Sequence, residues 1–120
     1  MAETMTLEPI DGIEIQTLVD NQWDMLLLSD ERARRPPMSA AGRPMVEAPI
    51  FVDPKLTEML IAEHGFSALV TVTRGGRTHR VMFDAGLSVG GLSHNLHALQ
   101  IRLSDIEAIV GQQRLVDVFT

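Results

Sequence analysis

Residues 66–84, "FSALVTVTRGGRTHRVMFD", leave this chain little conformational choice. Two runs rich in β-branched residues, 66–73 and 78–84, flank Arg74-Gly75-Gly76-Arg77, and the paired glycines supply the positive φ that a tight hairpin turn needs. The period of two puts Phe66, Ala68, Val70 and Val72 on one face, joined by Val81 and Phe83 from the return strand. Leu69, Met82 and the threonines take the other face, so both sides of the sheet are expected to be partly covered. A chain committed to this hairpin must find further strands for its edges and a layer for its faces.

Residues 12–19, "GIEIQTLV", alternate Ile13, Ile15 and Thr17 against Glu14, Gln16 and Leu18, which predicts a half-buried strand. "DNQWDMLLLSD" follows; Asp20 and Asn21 can turn the chain, and Trp23, Met25 and Leu26 to Leu28 are expected to cover the sheet. Residues 30–54 carry five of the six prolines without any sustained period and read as a long surface loop, pinned by Ile50 and Phe51. "LTEMLIA" (56–62) predicts a short helical turn ended by Gly65. The Gly-rich "DAGLSVGG" leads into "LSHNLHALQI" (92–101), where Leu92, Leu96 and Leu99 fall at helical spacing. Ser104 and Glu107 have the spacing of a capping box, and Ala108 to Val110 begin another strand. The order predicts an α+β fold, a mixed sheet with helix on one face, in one domain.

Charge and composition exclude several functions. The 120 residues carry a net charge of −6 with Lys55 as the one lysine, so no basic surface for nucleic acid is expected. Arg32, Arg34 and Arg35 run directly into Pro36 and Pro37 and read as a solvated loop. Without cysteine there is no disulfide, no thiolate nucleophile and no thiolate-bound zinc. Glu3 and Glu8 stand where a signal peptide needs positive charge, and no apolar run approaches ~18 residues. A cytoplasmic protein with no membrane partner is the expectation.

Few residues offer chemistry. His94 and His97 are three apart on the predicted helix and could share a metal, but no third ligand stands at a recognisable spacing, so they read as solvated. His79 is expected to be exposed beside the hairpin turn. Asp84 ends the strand "VMFD" before Ala85-Gly86, a common place both for a site residue and for an Asx turn. "GLSVGG" lacks the lysine of a phosphate loop and the dinucleotide spacing, and Ser67, Ser88 and Ser93 have no nucleophile-elbow context. No catalytic constellation is complete.

Four stretches, "TLVDN" (17–21), "AEHGFSALVTV" (62–72), "VMFDAG" (81–86) and "NLHALQIRLSDIEAIV" (95–110), together resemble the amino-terminal part of metallo-β-lactamase-fold proteins, in the subgroup similar to dihydropterin ribofuranosylaminobenzene-phosphate synthase. The resemblance covers residues 12 to 110 in order, with the proline-rich loop as an insertion. It implies an αββα-type sandwich of which residues 1–110 supply the first sheet-plus-helix half. In such proteins the strand matching Ala108 to Val110 runs into Ser-His-Gly-His-x-Asp-His, which holds zinc or a similar divalent metal that activates water. Asp84 matches a supporting aspartate beside that metal, and Asn21 and His64 match positions near the same mouth.

The resemblance stops at Val110, where "GQQRLVDVFT" (111–120) stands in place of the metal loop. No catalytic or metal-binding residue is therefore expected in this chain, and no cofactor. Two readings follow. In the first, the chain is a metal-dependent hydrolase relative cut before its histidine motif and inactive as it stands. In the second, it is a small non-catalytic interaction module that reuses the half-fold and self-associates through an exposed sheet edge. Both expect an apolar face and an open edge where the second half is missing.

Overall fold

The computed structural model describes residues 3–24, 26–36, 44–47 and 55–111. Met25, Ile50, Phe51 and the tail beyond Gly111 lie outside them. A four-stranded sheet dominates, formed by β1 (Gly12–Val19), β4 (Ser67–Arg74), β5 (Arg77–Phe83) and β6 (Ala108–Val110) in the order β1-β4-β5-β6. A two-stranded ribbon pairs β2 (Met45–Glu47) with β3 (Lys55–Thr57), and one helix, α1 (Val89–Ala98), lies between β5 and β6 in the chain. The architecture is α+β with a mixed sheet. Among the described residues no helix is long and apolar enough to cross a membrane.

The hairpin forms as its sequence dictates. β4 and β5 pair antiparallel from Ala68↔Phe83 to Arg74↔Arg77, and Gly75 and Gly76 both take positive φ, at 57° and 75°. Two consecutive left-handed residues make a type I′ turn, whose twist matches the flanking strands. Asp11 braces it: its carboxylate accepts the Gly75 N–H at 2.7 Å, and its own N–H donates to the Thr73 carbonyl at 2.8 Å. Outside β4, β1 adds antiparallel, with Ile15 opposite Val70. Outside β5, β6 adds parallel, with Val81 opposite Ala108 and Phe83 opposite Val110. A parallel neighbour requires a crossover, and α1 provides it.

Helix α1 is capped at both ends. The Ser88 hydroxyl accepts the Gly91 N–H at 3.0 Å, the usual N-cap bond to the third helical residue. At the other end Gln100 takes φ 58°, the Gln100 N–H donates to the His97 carbonyl, and the Ile101 N–H donates to the Leu96 carbonyl at 2.9 Å. That pair of bonds is a Schellman motif, here with glutamine rather than glycine in the left-handed position. The helix thus starts inside the predicted glycine loop and ends before Leu99.

The core sits between α1 and one face of the sheet. Leu18, Leu69, Met82 and Leu96 are buried together, with Leu92, Leu99, Ile101 and Ile106 packed around them. The opposite face is open: Ile13 and Ile15 are 60% and 66% exposed. The alternation in β1 is real, but the covered phase is the one carrying Leu18. A register shift between Thr17 and Val19 breaks that phase, so Leu18 and Val19 are both buried in succession.

Three other expectations are corrected. Residues 26–28 do not cover the sheet; Leu26 and Leu28 are more than four-fifths exposed, because this segment is held by polar turns of its own. The Asp30 carboxylate accepts the N–H groups of Arg32 and Ala33, and those bonds, Ala33 first, hold it below the usual aspartate range. Residues 56–62 form no helical turn: β3 takes their start, paired to β2 inside the proline-rich stretch, and the Glu58 N–H donates to the Pro44 carbonyl at 2.8 Å. Ser104 caps nothing, because Leu103–Asp105 form a short 3₁₀ turn with no side-chain cap. Glu107 is drawn instead to His79, its carboxylate 3.0 Å from Nδ1.

Candidate functional site at one end of the sheet

Strand directions decide where loops meet. β1, β5 and β6 end at the same edge at which β4 begins, as the pairings Val19↔Ser67, Ala68↔Phe83 and Phe83↔Val110 require. Asn21 follows β1, His64 precedes β4, and Asp84 follows β5, so all three residues belong to this one end. The carboxyl ends of adjacent parallel strands, β5 and β6 here, are where α/β sheets habitually build sites.

Asp84 is the most constrained of the three. It is buried and takes φ 58°, a left-handed conformation that costs an L residue about 1–2 kcal/mol. Its surroundings hold it there. The Asp84 N–H donates to the Val110 carbonyl at 2.7 Å, its carbonyl accepts the hydroxyl of fully buried Ser67 at 2.7 Å, and its carboxylate accepts the Ala85 N–H at 2.9 Å. The last bond reaches only the next residue; the Gly86 N–H, which an Asx turn would use, donates instead to the Phe66 carbonyl at 2.9 Å. Asn21 and His64 are both exposed.

The residue that organises this end is one the sequence reading passed over. Glu63 anchors the loop after Asp84: the N–H groups of Leu87 and Ser88 both donate to Oε1 at 3.0 Å, and the Ser88 hydroxyl donates to Oε2. The hydroxyl bond first, then the Ser88 amide, holds the Glu63 carboxyl below the usual glutamate range, with the Leu87 amide adding to it. A carboxylate at the start of α1 also suits the helix dipole. A Cβ at Gly91 would overlap the Glu63 carboxylate, so a larger residue there would push that carboxylate aside. Gly65 lies as close to the loop, where a Cβ would stand 2.8 Å from the Leu87 nitrogen.

Asn95 ties the same end to the helix. Its side-chain amide donates to the carbonyls of Leu18 at 2.8 Å and Ile61 at 2.9 Å, and its oxygen accepts the Ile61 N–H at 2.9 Å. One buried side chain thereby fixes the end of β1, the segment before Glu63 and α1. The only signal in the sequence was an asparagine among the apolar positions of a helix.

The two helix histidines share a partner that spacing could not reveal. Glu58 lies 3.4 Å from His94 Nδ1 and 3.2 Å from His97 Nε2, and His94 Nε2 lies 2.6 Å from the Met59 carbonyl. His94 is therefore half-buried rather than solvated, and His97 alone is mainly exposed. Among the described residues no three His, Cys, Asp or Glu side chains are placed to hold a metal ion. At the sheet end, Asp84 is turned into its own loop, and the residues described there do not make the shell that zinc requires.

In comparisons with known proteins, no family model, no curated protein and no solved structure matches this chain.

Proposed function

We propose that the chain is a sheet-and-helix layer of a metallo-β-lactamase-type, metal-dependent hydrolase, without hydrolytic activity of its own. The observation that carries this reading is the convergence of Asn21, His64 and Asp84 on the sheet end where parallel β5 and β6 stop. A loop leaving Val110 starts beside Asp84, to which Val110 is hydrogen-bonded through its carbonyl. In that reading Asp84, Glu63 and Ser67 are supports. They shape the floor of a site whose metal ligands come from elsewhere, and supports without ligands have nothing to orient. The bare sheet face opposite α1 fits the same reading, since a sandwich would lay a second sheet there.

Two measurements test it. The purified chain is expected to retain no stoichiometric zinc after dialysis and to turn over no phosphodiester, lactam or thioester reporter. Stoichiometric zinc with metal-dependent turnover overturns the claim of inactivity. The coding sequence after codon 110, translated in the other frames, is expected to contain Ser-His-Gly-His-x-Asp-His, and its absence from every frame overturns the family assignment.

A second reading, a non-catalytic interaction module, draws on the open face alone. A sheet surface bearing Ile13, Ile15 and Phe83 in water is a surface for something to bind.

A further inference from the structure

The open face has a definite composition. Three rows cross it: Ile13, Val72 and His79; Ile15, Val70, Val81 and Ala108; Thr17, Ala68, Phe83 and Val110. Phe66 joins the last row by meeting Phe83 edge-on, ring centres 6.4 Å apart. Ile13, Ile15, Phe66, Phe83 and Val110 are each between 42% and 66% exposed. At those exposures they leave on the order of 500 Å² of apolar surface in water, the upper end of what a monomer's largest patch shows. With the half-buried valines of β4 and β5 and the smaller residues between them, the face approaches the ~800 Å² per partner of a standard interface.

Its charge pattern narrows the occupant. No Asp, Glu, Lys or Arg stands in any of the three rows, although the chain as a whole carries −6. The one titratable residue, His79, sits at the rim with its Nδ1 3.0 Å from Glu107, and Arg74 is paired with Glu8 beyond it. An uncharged centre can meet an identical face without burying an unpaired charge, with the rim charges, Arg77 beside Arg74 among them, left at the solvent margin. The surface is also a sheet rather than a cleft, so what fits it is another flat layer.

We propose that this face is closed by the same face of a second copy, giving a two-fold symmetric dimer in which two sheets pack across a dry interface with both α1 helices outermost. The contact differs from pairing through the exposed edge of β1, which would leave the face wet. It does not depend on the hydrolase assignment: a zinc-free, inactive chain can dimerise or not, and the coding sequence decides the family independently.

The chain has no cysteine, so one introduced thiol reports alone. Light scattering behind size exclusion, from about 1 to about 100 μM, is expected to show a monomer–dimer equilibrium, with Ile15→Lys raising the dissociation constant at least tenfold. Helical circular dichroism and cooperative unfolding should persist in that variant, because Ile15 is outside the core. Val70→Cys, at the centre of the face, is expected to be captured as a dimer by a bismaleimide about 10 Å long, the spacing of packed sheets. Glu14→Cys, on the helix side of edge strand β1, is expected to stay uncoupled. Capture through Glu14→Cys but not Val70→Cys means edge pairing and overturns the proposal. A chain monomeric at every concentration, including one that covers the face with its own residues 112–120, overturns it as well.

Discussion

Leu18 and Ile15 lie in the same strand, and Met82 and Phe83 are consecutive in another, yet Leu18 is 2% and Met82 1% exposed while Ile15 is 66% and Phe83 42% exposed. The open face is the more apolar of the two, since the covered one carries Glu14, Gln16, Thr71 and Arg80 beside Leu18, Leu69 and Met82. What separates them is the supply of a second layer: α1 and the turn after it bring Leu92, Leu96, Leu99, Ile101 and Ile106 to one side. On the other side the Phe66 ring meets Phe83, and Ile13 and Ile15 stay mostly exposed. Full burial of a residue such as Leu or Ile is worth about 1.5–3 kcal/mol, so each exposed isoleucine forgoes roughly half of that or more. Apolar alternation makes a sheet face fit for burial; whether it is buried depends on a layer contributed from elsewhere.

The sharpest way to break the comparison is to cut one residue from each face. Met82→Ala removes a fully buried side chain from between Leu69 and α1 and is expected to destabilise the chain by about 3 kcal/mol in urea unfolding. A loss below about 1 kcal/mol would mean that the helix-side core is loosely packed and that the contrast between the faces is weaker than the burial states.

Legibility followed the range of the interactions. The hairpin was readable because its cause is local: two glycines at adjacent turn positions and strict alternation on either side. The boundaries of β1 and the existence of α1 were readable from period for the same reason. Which face of β1 is covered was not, since Leu18 and Ile13 carry equal local claims and the decision belongs to α1, far along the chain. Residues 56–57 were misread because their partner, β2, lies inside a proline-rich stretch with no period of its own. Of the sheet-end residues, Asp84 could be picked out from its place before Ala85-Gly86. Glu63 could not, because its role depends on Leu87 and Ser88 arriving from 24 and 25 residues away. Glu58, beside both His94 and His97, was hidden likewise, with the β4–β5 hairpin intervening.

Next in size is the seam that joins the covered face to the sheet end. Asn95→Leu keeps the volume and leaves the Leu18 carbonyl and both polar groups of Ile61 without their partner, at an expected cost of about 2–3 kcal/mol. Hydrogen exchange should rise first at the end of β1 and around Ile61; a uniform rise would mean that Asn95 acts on global stability alone.

Glu63→Gln is expected to cost about 1 kcal/mol or less at neutral pH, because the carboxylate is partly in water. Its signature is in the pH dependence. The folded state holds this carboxyl below the ordinary glutamate range, so between the two values it binds fewer protons than the unfolded chain. The contribution is complete above the ordinary range and is lost as pH falls through the lower folded value. The acid limb of a plot of stability against pH should therefore be shallower in Glu63→Gln than in the parent. Parallel limbs would mean that the Ser88 contact does not favour the charged form.

The smallest effect tests the open face most directly. Ile15→Thr keeps a β-branched strand residue and removes apolar area from the face opposite α1. In dilute solution, where single copies dominate, it should change stability by no more than about 0.5 kcal/mol. At high protein concentration the parent gains stability by mass action through the dimer, so its urea midpoint should climb with concentration while that of Ile15→Thr stays nearly fixed. If the dilute variant instead loses more than about 1.5 kcal/mol, Ile15 is covered within one copy. The contrast between the faces would then be one of partner segment rather than of partner molecule.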